Sequence, residues 1–78
     1  MKKNFYFTFG SAETFPYSRG QFVLVKAENM KDAAEKFKAK YPCRIPGILN
    51  CASYYPENVF NEFRDKYYKG VEPAEVIE

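Results

Sequence analysis

The residue types that most often carry catalysis are sparse in this sequence. It contains no histidine, and its two cysteines, Cys43 and Cys51, lack the C-x-x-C spacing of thiol redox sites. Two thiols without an imidazole cannot complete a tetrahedral zinc site. The carboxylates of Glu57 and Glu62 would point in different directions on a helix. The sequence therefore predicts no enzyme activity and no cofactor, since a Glu or Cys catalyst here would require a strongly shifted pKa.

Tyrosine, phenylalanine and arginine are the residues best suited to bind a ligand. The chain holds seven Tyr and eight Phe in 78 residues. Rings and guanidinium groups build stacking pockets for nucleotides, and they also anchor protein interfaces. The rings could equally line a small core with their hydroxyls reaching water. The residues able to form a stacking pocket are Tyr6, Tyr17, Tyr54, Tyr55, Tyr67 and Tyr68, with Arg19 and Arg44.

From this set we select Tyr17, Arg19, Arg44 and Tyr54 as the candidate binding site. Tyr17 and Arg19 lie in the segment 10–20, whose Gly, Pro and Ser residues predict a loop. Aromatic residues are unusual in a plain connector. They either fold back onto the edge of the core or are held out for a partner.

Three segments have the composition of β-strands. In residues 4–9, Phe5, Phe7 and Phe9 alternate with less apolar residues, which predicts a strand with an inward phenylalanine face. Residues 21–27 are apolar on both faces and predict a central strand that pairs with the first as an antiparallel hairpin. Residues 51–55 predict a short third strand. For residues 74–78 the sequence allows either an edge strand or a frayed chain end.

Two segments have helical periodicity. The first runs from the N-cap Asn29 to Pro42, with Asp32 placed for a capping-box contact and an apolar stripe of Met30, Ala33, Ala34, Phe37 and Tyr41. The second begins at Pro56 and runs to about Tyr68, with a stripe of Val59, Phe60, Phe63 and Tyr67 before the helix-breaking Gly70.

The element order β-β-α-β-α-(β) predicts one α+β domain over residues 1–78. We expect a two-layer sandwich in which both helices cover one face of a small, mostly antiparallel sheet. The sequence does not decide whether Cys43 and Cys51 form a disulfide, which would close only a short loop.

The net charge is only +2, and the sequence has no basic run beyond Lys2 and Lys3. This charge distribution argues against general nucleic-acid binding. No stretch approaches the roughly 18 apolar residues of a membrane span, and no secretory signal is evident. These features predict a cytoplasmic protein that does not bind membranes.

Five segments resemble a family of short uncharacterised proteins of anaerobic gut bacteria, their phages and other mobile elements. They are YFTFGS (6–11), FPYSRG (15–20), KFKAKYP (36–42), ILNCASYY (48–55) and EVI (75–77). The family's tail often resembles Cys-His-Glu-Val-Ile, where this chain has residues 73–77 as PAEVI. That departure argues against a metal or thiol role for the tail.

The resemblance implies a small binding protein that acts stoichiometrically on a host protein, in some cases to counter a defence system. Separately, the aromatic residues exceed what one small core can hide, which makes a subunit contact in a homodimer a further expectation. The alternatives are a module that binds or sequesters a small nucleotide through aromatic and arginine residues, and a structural domain without a ligand.

Overall fold

The computed structural model describes residues 2–10, 15–43 and 48–78. The strands are β1 (Lys3–Thr8), β2 (Phe22–Ala27), β3 (Ser53–Pro56) and β4 (Glu75–Ile77), and the helices are α1 (Met30–Lys40) and α2 (Glu57–Tyr67). They form one mixed sheet in the order β3-β1-β2-β4. The predicted α+β class and element order are confirmed, and the tail forms the fourth strand.

The central hairpin fixes the register of the sheet. β1 is antiparallel to β2 and to β3, so that Tyr6 pairs with both Leu24 and Tyr55, and Phe7 pairs with Val23 and Tyr54. β4 runs parallel to β2 on the other side. The sheet is therefore mostly antiparallel, as the sequence predicted.

The two helices lie on opposite faces of the sheet, so the prediction of two layers with both helices on one face is wrong. Phe5, Phe7 and Phe9 face α1 and pack with Phe37. Tyr6 and Phe22 face the other way and pack with Phe60 of α2. Because neighbouring strand residues alternate between faces, β1 is buried on both sides, and Tyr6 is as inaccessible as the phenylalanines.

The strand order explains why each face of the sheet carries one helix, which makes three layers. The connection from β2 through α1 reaches β3 by crossing β1, and the connection from β3 through α2 returns across the whole sheet to β4. Both connections join parallel strands, and such crossovers are right-handed in nearly all proteins. Two right-handed crossovers that run in opposite directions must pass over opposite faces.

Local interactions at the start of α1 match the predicted capping. The Oδ1 atom of Asn29 accepts a hydrogen bond from the Asp32 backbone N–H at 2.8 Å. The Asp32 carboxylate in turn accepts from the Glu28 backbone N–H, one residue before the cap. Met30, Phe37 and Tyr41 of the predicted stripe pack in the core.

Cys43 and Cys51 are both free thiols. Neither helix among the described residues is long and apolar enough to cross a membrane.

Candidate functional site

An open cleft of about 450 Å³ lies on the α2 face of the sheet. Four of its lining residues are aromatic side chains from β3 and the C-terminal end of α2: Tyr55, Phe63, Tyr67 and Tyr68. The remaining described lining comes from the end of β1 and from the turn before β2: Thr8, Phe9, Arg19 and Gly20. The volume falls within the range of small-molecule sites, about 300–1,000 Å³.

The aromatic wall is continuous from the sheet to the outer rim. The Phe63 ring lies 4.9 Å from that of Tyr55 and 6.1 Å from that of Tyr67, both in edge-to-face arrangements. Tyr55 and Phe63 are half-buried, whereas Tyr67 is 62% exposed. The sequence placed Tyr67 in the apolar stripe of the helix, but it stands at the rim of the cleft with most of its surface free.

Two cationic side chains lie at or beside this wall. None of the described lining residues is acidic, and Arg19 supplies a guanidinium group. The Lys66 ammonium lies 5.3 Å from the centroid of the Tyr67 ring. Arg64 is directed elsewhere, with its guanidinium carbon about 6 Å from the rings of Tyr6 and Phe22. The cleft is therefore suited to a ligand that combines a flat ring with a negative charge.

A tight turn holds Arg19 at the cleft. The Gln21 backbone N–H donates to the Ser18 carbonyl at 3.1 Å, and Gly20 has a φ of +92°. A positive φ at the third residue is characteristic of a type II turn, which strongly favours glycine there. The Gln21 Oε1 atom also accepts from the backbone N–H and the hydroxyl of Ser18. This bracing fixes the turn while the Arg19 side chain remains exposed.

The hydroxyl-bearing residues Thr8 and Tyr68 also line the cleft. The buried Thr8 hydroxyl donates to the Ser53 carbonyl at 3.2 Å and also interacts with the phenol of Tyr68. Burial raises the pKa of Tyr68 and nearby Tyr55 adds to this rise, although the Thr8 hydrogen bond opposes it. The Tyr68 phenol therefore stays protonated at neutral pH and can donate a hydrogen bond.

The three described residues of the four selected from the sequence are not brought together. Arg19 lines the cleft, but Tyr17 and Tyr54 lie on the α1 face. There the Tyr17 hydroxyl is 3.1 Å from that of Tyr41, and the Tyr54 ring stacks on Phe7. Arg44 lies outside the described residues.

The cleft uses Tyr55, Tyr67 and Tyr68 of the larger tyrosine set, together with Phe63 and Thr8, which sequence reasoning assigned to the core or to a strand. Tyr54 and Tyr55 alternate between faces. The alternation predicts that the two side chains lie on opposite faces of the sheet, but it does not predict which one shares a face with α2. The register that pairs Tyr55 with Tyr6 decides it.

A second cleft of about 360 Å³ lies near the start of α2 and is lined in part by Lys2, Lys3, Asn4 and Glu57. The Glu57 carboxylate already accepts hydrogen bonds from the Asn4 amide at 2.7 Å and from the Tyr6 hydroxyl at 3.3 Å. Its acidic group is thus satisfied internally, and the cleft lacks an aromatic wall comparable to that of the first.

The described residues offer little for covalent or metal chemistry. Burial raises the pKa of the Cys51 thiol to about 11, so the nucleophilic thiolate is disfavoured near neutral pH. Within residues 2–10, 15–43 and 48–78 there is no cluster of three His, Cys, Asp or Glu side chains that could hold a metal ion.

Comparisons with protein-family models, curated proteins and solved structures give no match. The relationship to a mobile-element family therefore stays a prediction from the sequence.

Proposed function

We propose that the protein is a non-catalytic binding protein whose cleft takes one small, flat, negatively charged molecule of the nucleotide class. The observation that carries this proposal is the convergence of Arg19 with the aromatic wall of β3 and α2 in a cleft whose described lining has no acidic residue. Rings stack on nucleobases without forming covalent bonds, and a guanidinium group binds phosphate through two parallel hydrogen bonds.

The exposure of Tyr67 favours this proposal over a purely structural role for the rings. Phe60 is fully buried and Phe63 packs against the same cluster, so burial alone explains both. Tyr67 lies beyond them at 62% exposure and contributes little to that core. An exposed ring that extends an aromatic wall beside two cations is what a stacking site for a flat anion requires.

Native mass spectrometry of the protein purified from cells tests the proposal first, because it detects a co-purified small molecule directly. Calorimetric titration with nucleoside monophosphates, and with inorganic phosphate alone, then measures affinity. We expect Tyr67→Ala to weaken nucleotide binding by about 1–3 kcal/mol, the usual contribution of one stacked base.

Tyr54→Ala is the matched control, since Tyr54 is 45% exposed on the opposite face. It should leave nucleotide affinity unchanged. The proposal is contradicted if the folded protein binds none of the mononucleotides, or if the two tyrosine variants lose affinity equally.

A protein partner is the second candidate, and Tyr54 is the observation that favours it. This tyrosine stands exposed on β3, an edge strand of the sheet, and tyrosine is a frequent interface anchor. A host protein or a second copy of the chain would then contact the α1 face. Light scattering and affinity capture should show a complex that Tyr54→Ala weakens and Tyr67→Ala does not.

A further inference from the structure

A second cation beside the cleft bears on how many phosphate groups the ligand carries. We infer that Lys66 acts together with Arg19 to bind an extended anion, so that the cleft prefers nucleotides with a chain of phosphates to nucleoside monophosphates. This inference rests on the proposed function and names the ligand more narrowly.

Burial separates the rim of the cleft from its inner wall. The rings of Tyr55 and Phe63 are half-buried. Arg19 and Tyr67 are exposed. Removing a phosphate from water is costly. The anionic part of the ligand should therefore remain at the exposed rim, while the flat ring lies against the half-buried rings.

Tyr67 brings the two cations to the same part of the rim. Its ring lines the cleft with Arg19, and the Lys66 Nζ atom lies 5.3 Å from the centroid of that ring. One phosphate occupies the two parallel hydrogen bonds that a guanidinium group offers. A further phosphate brings the negative charge that the Lys66 ammonium can neutralise.

Both cations are available to an external anion. In the part of the chain that the structure describes, neither Arg19 nor Lys66 forms an ion pair with a carboxylate. By contrast, three other lysines each have a carboxylate oxygen at 3.4–3.9 Å: Lys26, Lys36 and Lys40. A ligand that binds Arg19 and Lys66 therefore breaks no such internal ion pair.

The hydroxyl of Thr8, the most buried polar side chain of the described lining, is already used within the protein. A hydroxyl has one hydrogen, and that of Thr8 is donated to the Ser53 carbonyl at 3.2 Å. Thr8 thus offers no donor to the ring of the ligand. This leaves the phosphate groups as the part of the ligand that the exposed cations can distinguish.

Adenosine 5′-monophosphate and adenosine 5′-diphosphate provide a matched pair of probes, because they differ only in the second phosphate. Calorimetric titration in EDTA, which removes metal ions, measures both affinities. We expect wild-type protein to bind the diphosphate about two- to fivefold more tightly, the effect of one exposed ion pair. The ratio of the two affinities should shrink as salt is added, since salt screens exposed charges.

Lys66→Met keeps much of the apolar stem of the side chain and removes the charge, so the ratio should fall to about one. Lys66→Arg keeps the charge and should keep the preference. Lys38→Met is the matched control, because Lys38 is exposed on α1, on the opposite face of the sheet. It removes the same charge and should leave the ratio unchanged. Circular dichroism in the aromatic region checks that each variant is folded.

Three results would overturn the inference and leave the proposed function intact. The wild-type protein could bind the two nucleotides equally or prefer the monophosphate. Lys66→Met could retain the full preference for the diphosphate. Lys38→Met could reduce the preference as much as Lys66→Met does, which would assign it to the overall charge of the protein. Failure of folded wild-type protein to bind either nucleotide would instead remove the proposed function itself.

Discussion

Phe37 is the side chain on which the α1 face of the sheet is centred. It is fully buried, stacks on Phe7 with ring centroids 4.4 Å apart, and also contacts Phe9 and Tyr41. Its ring therefore connects α1 to β1 and also packs against the C-terminal end of α1.

Truncation of this ring should be among the most damaging single changes. We expect Phe37→Ala to lower the free energy of unfolding by about 3–5 kcal/mol, because it removes buried apolar surface and leaves a cavity. Urea denaturation followed by circular dichroism measures the loss. Tyr67→Ala removes an exposed ring and should change stability by about 0.5 kcal/mol or less. Similar losses in both variants would show that Phe37 does not have this central role.

Single residues also mark where sequence reasoning reached its limit. Asn29 and Phe37 were correctly assigned because a cap and an apolar stripe are local patterns. The alternation in residues 4–9 predicts an inward phenylalanine face and so leaves Tyr6 on the other face, either in a ligand pocket or lining a small core. In the structure its ring stacks on Phe60 at 4.1 Å, and its hydroxyl reaches Glu57 at the surface. Only the presence of α2 on that face reveals the second core.

α1 depends on its N-cap because its first backbone N–H groups have no partner within the helix. We expect Asn29→Ala to lower the free energy of unfolding by about 1 kcal/mol through loss of the hydrogen bond to Asp32. Asn61→Ala, at an exposed position inside α2, is the control and should be neutral or slightly stabilising, since alanine favours helices. Chemical denaturation of the two variants compares them, and equal destabilisation would argue against the cap.

The turn Ser18–Gln21 links the backbone to the cleft. We expect Gly20→Ala to lower the free energy of unfolding by about 1–2 kcal/mol, because an L-residue resists a φ of +92°. The same change should weaken nucleotide binding by displacing Arg19. Thermal denaturation and calorimetric titration of this variant measure the two effects.

Gly10→Ala is the matched glycine control. A Cβ atom there would meet Phe15 and Ala52 at ordinary contact distances of 3.6 and 3.7 Å, and the φ of Gly10 is not positive. Stability should be unchanged or raised by up to about 1 kcal/mol. If both alanine variants behave alike, the positive φ of Gly20 does not account for its role.

Elements were easier to predict than their arrangement. The strands, both helices and their order follow from periodicity and from Asn29, Pro56 and Gly70 as boundaries. The faces on which the helices lie depend on which strands become neighbours. The long-range pairing between β1 and β3 determines this strand order. The same pairing places Tyr55 on the face of the cleft, so the cleft could be predicted only as a set of residue types. Among the described residues, Arg19 is the selected residue that lines it.

Across the entire fold, the buried titratable groups predict a characteristic response to alkali. Burial, followed by the nearby Glu57 carboxylate, raises the pKa of Tyr6, and burial raises those of Tyr68 and Cys51. Each group is neutral when protonated, and the folded state holds its proton more tightly than the unfolded chain does. The stability they provide is complete below the unfolded pKa and is lost as pH rises through the folded value.

We expect the free energy of unfolding to begin falling near pH 9, where the unfolded thiol ionises, and to continue falling through about pH 11. Cys51→Ala should show a shallower fall between these values, because the thiol no longer contributes. Cys43→Ala is the control, because it removes the other thiol of the chain. Urea unfolding at a series of pH values provides the measurement, and identical slopes for wild type and Cys51→Ala would contradict the assignment.

The central position of the hairpin has a consequence for the chain during its synthesis. β1 and β2 are made first, yet they become the two inner strands, and their faces carry phenylalanines that later elements must cover. At translation rates of about 5–20 residues per second, the completed hairpin waits roughly a second or more for α1 and longer for β3 and β4. Throughout this interval both of its edges are unpaired, a state in which strands of neighbouring nascent chains can associate. The yield of folded protein in cells should therefore depend on growth temperature and chaperone supply more strongly than its final stability alone would indicate.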